Sequence, residues 1–431
     1  MIRIDRLSDI LTGSAAQDIL TTLYGSDPNQ LAMQRQRWLR LAGLFAQTYP
    51  EQQQIALFST SGRTEVGGNH TDHQQGRVLC AAVDLDIIAI AAPNADSVIR
   101  LKSEGFPKMD VIELADLQPA DDEREHSAAL IRGIAAAFRQ RGYAVGGLDV
   151  YTTSRVPKGS GLSSSAAFEV LVATLLDSFY NGGRVPAVEK AVISQYAENV
   201  YFGKPSGLMD QCGCAVGGFI AIDFQIPGQP QVCPIHLDFG QSGYCLVITN
   251  TGGSHADLTG DYAAIPRDMR QVAALFGKSV LREIEPNVFW RELPALRGRV
   301  NDQSLLRAIH FFLDNQRVAD QTAALQEGRI EDFLALVRAS GISSWTRLQN
   351  VYSAHNPSEQ PVSIGLAVSE KVLAGRGACR VHGGGFAGTI QAFVPLDLAD
   401  AYMAAMQALF GSDAPWKMRI RPVGSTMLDL G

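Results

Sequence analysis

One segment constrains this chain more than any other. Arg155 to Leu176, "RVPKGSGLSSSAAFEVLVATLL", follows a strand-like stretch ("GLDVYTTSRV"), passes through a Gly-Ser loop and enters an apolar-periodic helix. The chain must therefore place a strand end, a tight loop and a helix start next to one another. Gly159 and Gly161 allow a sharp turn that exposes backbone N–H groups. The helix opening at Ala166-Ala167 adds free N–H groups and a partial positive charge, so the loop suits a phosphate. Ser163, Ser164 and Ser165 can cap the helix or coordinate a metal ion held by phosphates. Taken alone, the segment is also what a Ser-capped helix after a flexible loop looks like. It is not a Walker loop, because no Gly-Lys-Ser/Thr closes it.

Two other stretches concentrate chemistry. "SGRTEVGGNHTDHQQGRVL" crowds Arg63, Asn69, His70, Asp72 and His73 together, which reads either as a metal site or as a pocket for hydroxyl groups. The spacing fits no zinc pattern, and alternation along an extended segment turns His73 away from the other two. "AENVYFGKPSGLMDQCGCAVGG" places Asp210 just past Pro205-Ser206-Gly207, with Glu198 earlier on a helix. An aspartate buried beside a cation stays ionised and can take a proton from a hydroxyl. A second carboxylate facing the phosphates can hold magnesium with a serine. The plainer alternative is a turn aspartate and an exposed helical glutamate. "GGGFAG" at 383–388 satisfies G-x-G-x-x-G, but the strand-like "TIQAFVP" follows it where a dinucleotide fingerprint needs a helix.

Around these stretches, residues 1–50 show helical spacing, and "VLCAAVDLDIIAIAAP" reads as a strand pair. The stretch 261–340 is largely helical, and "ACRVHGGGFAGTIQAFVP" reads as strand, Gly loop, strand. Mixed elements without regular βαβ alternation predict an α+β fold. With 431 residues, 46% of them hydrophobic, two packed domains are expected. The proline-glycine stretch "QIPGQPQVCP" suggests a division into 1–235 and 236–431, the first carrying a helical extension over 1–50. A net charge of −7 argues against nucleic acid or an anionic membrane as partner. No signal-peptide core and no apolar run of about 18 residues occurs. Six scattered cysteines without a CxxC pair suit reduced thiols. A cytoplasmic protein is expected.

The three stretches occur in the order and spacing of the GHMP kinases, the small-molecule kinases of galactose, homoserine, mevalonate and phosphomevalonate. "PKGSGLSSSAA" is similar to that family's ATP loop, and "VHGGGFAGTI" to its C-terminal Gly-rich motif. "SGRTEVGGNHTDHQQGRVLCAAVDLD" and "GKPSGLMDQCG" resemble the galactokinase signature and catalytic segment, and the likeness spans roughly residues 35–425. The resemblance implies a ribosomal-S5-domain-2-like N-terminal domain and a ferredoxin-like C-terminal domain, with the site between them. It implies ATP and Mg2+ as cofactors, a small sugar as substrate, phosphorylated at its anomeric hydroxyl, and a monomer. By motif, Pro157, Gly159, Ser160, Gly161, Leu162, Ser163, Ser164, Ser165 and Ala166 would cradle ATP, with Ser164 and Glu198 holding magnesium. Asp210 would be the base, with Arg63 beside it. Asn69, His70, Asp72, Gly207 and Tyr262 (from "GDYAAIPRDMR") would contact the sugar. A pocket of this kind can reject a sugar lacking one hydroxyl by a factor on the order of 10⁴.

The chain also departs from the signature, which normally reads Gly-Arg-Val-Asn-Leu-Ile-Gly-Glu-His-Thr-Asp-Tyr-Asn. Thr64, Glu65, Val66 and Gly67 replace its middle, Asn69 stands where Glu is expected, and His73-Gln74 replace Tyr-Asn. Loss of that carboxylate opens an alternative substrate, galacturonate, whose C6 carboxylate the family's Glu would repel. A non-catalytic sensor of sugar and ATP is a further alternative, although the ATP loop from Ser163 to Ala167 is complete.

Overall fold

The computed structural model describes residues 1–157, 159–253 and 258–430. The chain opens with a short strand, β1 (Ile2–Arg3), and three helices: α1 (Leu7–Thr12), α2 (Ser14–Tyr24) and α3 (Pro28–Thr48). Asp27 starts α3 by accepting the N–H groups of Asn29 and Gln30, and Pro28 occupies a position where no N–H is needed. Leu31, Gln34, Trp38, Leu41, Ala42 and Phe45 then form one buried stripe at helical spacing.

That stripe covers one face of the first sheet. Its strands are β2 (Gln54–Gly67), β3 (Arg77–Asn94), β4 (Val98–Ser103), β5 (Met109–Glu113), β6 (Gly147–Ser154), β7 (Phe219–Asp223) and β8 (Gln231–Ile235). The order is β1-β2-β3-β6-β4-β5, with β7 on the other end of β3 and β8 on β7. The apolar run from Val78 to Pro93 lies within one strand of 18 residues, Arg77–Asn94, and is not the expected pair. Residues 87–94 pair with β6, and 77–81 pair with β7. Asp84 and Asp86 resemble a break in the apolar pattern, but Asp86 is buried in mid-strand because Arg37, Arg421, Tyr24 and Ser59 all bond its carboxylate. The sheet's other face is covered by α4 (Ser127–Gln140), α5 (Ser164–Tyr180), α6 (Ala187–Tyr196) and α7 (Met209–Val216), which share one apolar core with it.

The second sheet begins with β9 (Tyr244–Asn250). Helices α8 (Thr259–Leu275), α9 (Pro286–Leu296), α10 (Asp302–Gln326), α11 (Ile330–Ser343) and α12 (Pro361–Leu373) separate it from β10 (Ala378–His382) and β11 (Thr389–Pro395). Helix α13 (Ala399–Phe410) leads to β12 (Pro415–Met418). The antiparallel order β10-β11-β9-β12 is that of a ferredoxin-like sheet with helices inserted after its first strand. A cut at residue 235 misplaces the final segment. Strand β13 (Thr426–Met427) returns to pair with Ser59 and Phe58 of β2, so the tail belongs to the first sheet. Among the described residues no helix is long and apolar enough to cross a membrane.

Candidate active site

The phosphate loop joins the end of β6 to the start of α5. Gly159, Gly161 and Ser163 all have positive φ, at 71°, 72° and 62°. Gly161 also lacks room for a side chain, since a Cβ there would lie 3.0 Å from the His382 ring. Ser160 is buried and donates to the Pro157 carbonyl at 2.7 Å, and Leu162 is fully buried. These anchors fix the turn, and Ser164, Ser165 and Ala166 open α5 with free first-turn N–H groups. Ser163 does not cap the helix. Its hydroxyl donates to Asp210 Oδ2 instead, which ties the loop to the start of α7.

Arg63 lies on β2 with its own N–H bonded to the Leu162 carbonyl at 3.1 Å. Its guanidinium donates to the Gly161 carbonyl and meets Asp210 Oδ1 through Nε at 2.9 Å and Nη2 at 2.6 Å. Arg63 is buried, while the Asp210 side chain is 34% exposed. Burial pushes the Asp210 carboxyl up, but the Arg63 guanidinium and the Ser163 hydroxyl outweigh it and hold the group below its ordinary value. The result is an ionised aspartate at the first turn of α7.

Glu198 lies in a π-turn at 197–202 that continues α6, and it is buried, not an exposed helical glutamate. Lys204 Nζ donates to its Oε1 at 2.9 Å, and Ser206 Oγ and Gln211 Nε2 donate to Oε2 at 2.5 and 2.9 Å. The same amide reaches Glu169 Oε2 at 3.0 Å. Glu169 Oε1 and Gln211 Oε1 are buried without a hydrogen-bond partner. Burial, reinforced by Glu198, pushes the Glu169 carboxyl well up. Glu169 Oε1 is the one bare carboxylate oxygen here, and both Glu198 oxygens already accept donors, so Glu198 could hold a hard divalent cation only if the ion displaced one of them, Lys204 being the exposed one.

The signature stretch is stitched to the Gly-rich loop after β10. Asn69 Nδ2 donates to the Gly383 carbonyl at 2.8 Å, His70 Nε2 to Gly384 at 2.9 Å and Tyr262 Oη to Gly385 at 2.9 Å. Burial, then the neighbouring His73, pushes His70 down to about 4, so it is neutral and its Nδ1 is an acceptor. Tyr262 stands against Gly384, where a Cβ would be 2.6 Å from its ring. Asp72 faces Gly207 and accepts the His73 N–H at 3.0 Å. Residues 72–74 form a 3₁₀ turn, so His73 is not turned away as alternation predicts, and its ring centroid lies 5.5 Å from that of His70. Among the described residues no three His, Cys, Asp or Glu side chains converge as a metal-ligating group.

Asn69 departs from expectation. Its side chain is fully buried, with both N–H donors spent on Glu65 Oε1 and Gly383, and its oxygen accepts Asn350 Nδ2 at 2.7 Å and Ser344 Oγ at 3.3 Å. No hydrogen-bonding capacity is left for a sugar. Sequence reasoning missed three buried neighbours of these groups: Glu65, Arg380, which pairs with it, and His382, which packs against Gly161. The period-2 spacing of Arg63 and Glu65 was the available signal for the first.

Comparisons agree with this geometry. Residues 129–218 match the family described as GHMP kinases N terminal domain, and residues 43–93 match the galactokinase galactose-binding signature. A galactokinase of Streptomyces coelicolor is 29% identical over 363 residues, covering 83% of this chain and 89% of that protein. The crystal structure of Lactococcus lactis galactokinase complexed with galactose superposes with a TM-score of 0.73 at 25% identity, over 89% of this chain and 98% of that one. The crystal structure of L. major mevalonate kinase in complex with R-mevalonate shares the fold at a TM-score of 0.57 and 16% identity, over 86% and 97% of the two chains. A phosphate loop, an arginine-clamped aspartate and a wall of polar side chains converge within the segments these matches cover, and in sequence and fold the chain is similar to the GHMP kinases, and among them to galactokinases.

Proposed function

We propose that the protein transfers the γ-phosphoryl group of ATP to the anomeric hydroxyl of galactose, giving galactose 1-phosphate and ADP. The observation that carries this is the placement of Asp210, clamped by Arg63 and bonded to Ser163 of the phosphate loop. Phosphoryl transfer passes through a loose transition state, so positioning and charge neutralisation matter more than base strength. An aspartate of lowered pKa suits such a reaction, because it orients the sugar hydroxyl and takes its proton late. Backbone N–H groups of the loop and the α5 start hold the phosphates. Arg63 offsets charge on the forming sugar oxygen.

Magnesium held by Ser164 and Glu198 would neutralise charge on the phosphates. Lys204 neutralises Glu198 in this arrangement and would be displaced by the ion. His70, Asp72, Gly207 and Tyr262 form the wall against which the sugar hydroxyls lie. We place the protein in the cytoplasm as a monomer acting on a free sugar. The test is ADP release with MgATP against galactose, galacturonate, N-acetylgalactosamine, arabinose, glucose and mevalonate. Turnover of galactose above the others supports the reading, and sugar and ATP binding without ADP release would replace it with a sensor.

A further inference from the structure

The proposed galactose site contains a carboxylate that the signature does not provide. Glu65 follows Arg63 on β2, and the pairing with β3 runs without a shift from Arg63 to Glu65. The two side chains therefore share a face of the strand, about 7 Å apart along it. Arg63 meets Asp210; in the proposed reading, with the anomeric hydroxyl at Asp210, Glu65 one pleat further along the strand would face the opposite, C4–C6 edge of the sugar. Glu65 is bonded to Asn69, whose amide also holds Gly383 next to the His70–Gly384 contact, so it lies beside the wall that carries His70.

Its two oxygens are not equivalent. Oε1 accepts Arg380 Nη2 and Asn69 Nδ2, each at 2.9 Å. Arg380 is itself fully buried and holds the Val66 carbonyl at 2.7 Å, so the carboxylate cannot rotate away without stranding a buried cation. Among the described residues nothing donates to Oε2, and that atom is not among the buried unpartnered ones. A fixed, accessible carboxylate oxygen is an acceptor for a hydroxyl. The signature has an amide at the position of Glu65 and a carboxylate at that of Asn69, and this chain holds the two groups the other way round, bonded to each other.

We infer that Glu65 Oε2 is the specificity-determining acceptor for a hydroxyl on the C4–C6 edge of the substrate, and that Asn69 serves only to hold it. The inference rests on the galactokinase reading and narrows its substrate to neutral hexoses. A C6 carboxylate would meet Glu65 with the Arg380 charge already spent, so galacturonate is rejected.

The test measures kcat/KM for galactose, 4-deoxygalactose, 6-deoxygalactose and galacturonate with the unmodified protein and with Glu65→Gln. The unmodified protein is expected to favour galactose over one of the deoxy sugars and over galacturonate by at least ~100-fold. In Glu65→Gln both ratios should shrink at least tenfold, with turnover of that deoxy sugar changed less than threefold. An equal loss on every sugar, with the ratios unchanged, would make Glu65 a structural partner of Arg380 and overturn the inference. Should the variant not fold, the unmodified protein decides: both deoxy sugars, or galacturonate, within threefold of galactose overturns it. An unmodified protein that phosphorylates no sugar removes the kinase reading itself, and this inference with it.

Discussion

Arg63 donates to a single oxygen of Asp210, with Nε 2.9 Å and Nη2 2.6 Å from Oδ1. The other oxygen is left to Ser163 and to whatever enters the cleft, so the clamp fixes the aspartate without using it up. Asp210→Asn keeps the shape and removes the proton acceptor. Turnover is expected to fall by about 10²–10⁴-fold. Galactose affinity, read by calorimetry, should change little, and a matching loss of affinity would contradict the assigned role.

The pH dependence follows from the same pair. The folded Asp210 carboxyl lies below its ordinary value of 3.8, so its ionisation contributes stability above that value, lost as pH falls through the lower, folded one. The acid limb of kcat/KM set by Asp210 should therefore lie below about pH 4. Arg63→Met removes the opposing charge and leaves the burial. The limb should then move upward by at least ~1 pH unit, and an unmoved limb would mean another group sets it.

Gly161→Ala adds a Cβ at a φ of 72°, directly against the His382 ring. A cost of about 1–3 kcal/mol is expected from the backbone alone. Because the shifted loop carries the phosphate-binding N–H groups, KM for MgATP should rise more than KM for galactose. Initial-rate kinetics at varied concentrations of each separates the two.

Asn69→Ala removes four hydrogen bonds from a fully buried network and leaves Asn350, Ser344 and the Gly383 carbonyl unmatched. Urea unfolding should show a loss of about 2–4 kcal/mol. A variant of unchanged stability that has lost sugar affinity would show instead that the amide faces the substrate.

Glu198→Gln tests the cation. Its buried carboxylate is assigned to magnesium, so the variant should need at least ~10-fold more magnesium for half-maximal turnover, with galactose binding unaltered. A magnesium titration at fixed ATP reads this directly.

Much of this site is legible in the sequence. Arg63, Asp210, Glu198 and the glycines of the phosphate loop stand out because motifs of this type keep their chemistry within a few residues. Periodicity finds most of the long strands and helices, but not β5, α12, α13, β12 or β13. It cannot find partners. Whether Asn69 turns outward to a sugar or inward to Ser344 and Asn350 depends on segments more than two hundred residues away. Ser163 looks like a helix cap because capping is a local preference, and the stronger acceptor, Asp210, comes from another element. Asp86 suggests a turn in an apolar run, since nothing nearby in sequence announces Arg37 or Arg421 as its counter-ions.

The return of the tail to the first sheet has a consequence for how the protein is made. Asp86 is completed by Arg421, 335 residues later, and β2 gains its last neighbour from Thr426–Met427. During synthesis, the strand bearing Arg63 therefore waits with an open edge and a half-neutralised buried acid while the whole second domain emerges from the ribosome. A nascent chain arrested before residue 419 should be held by chaperones and cleaved readily by protease, and emergence of Arg421 and Thr426–Met427 should complete Asp86 and β2 in one late step.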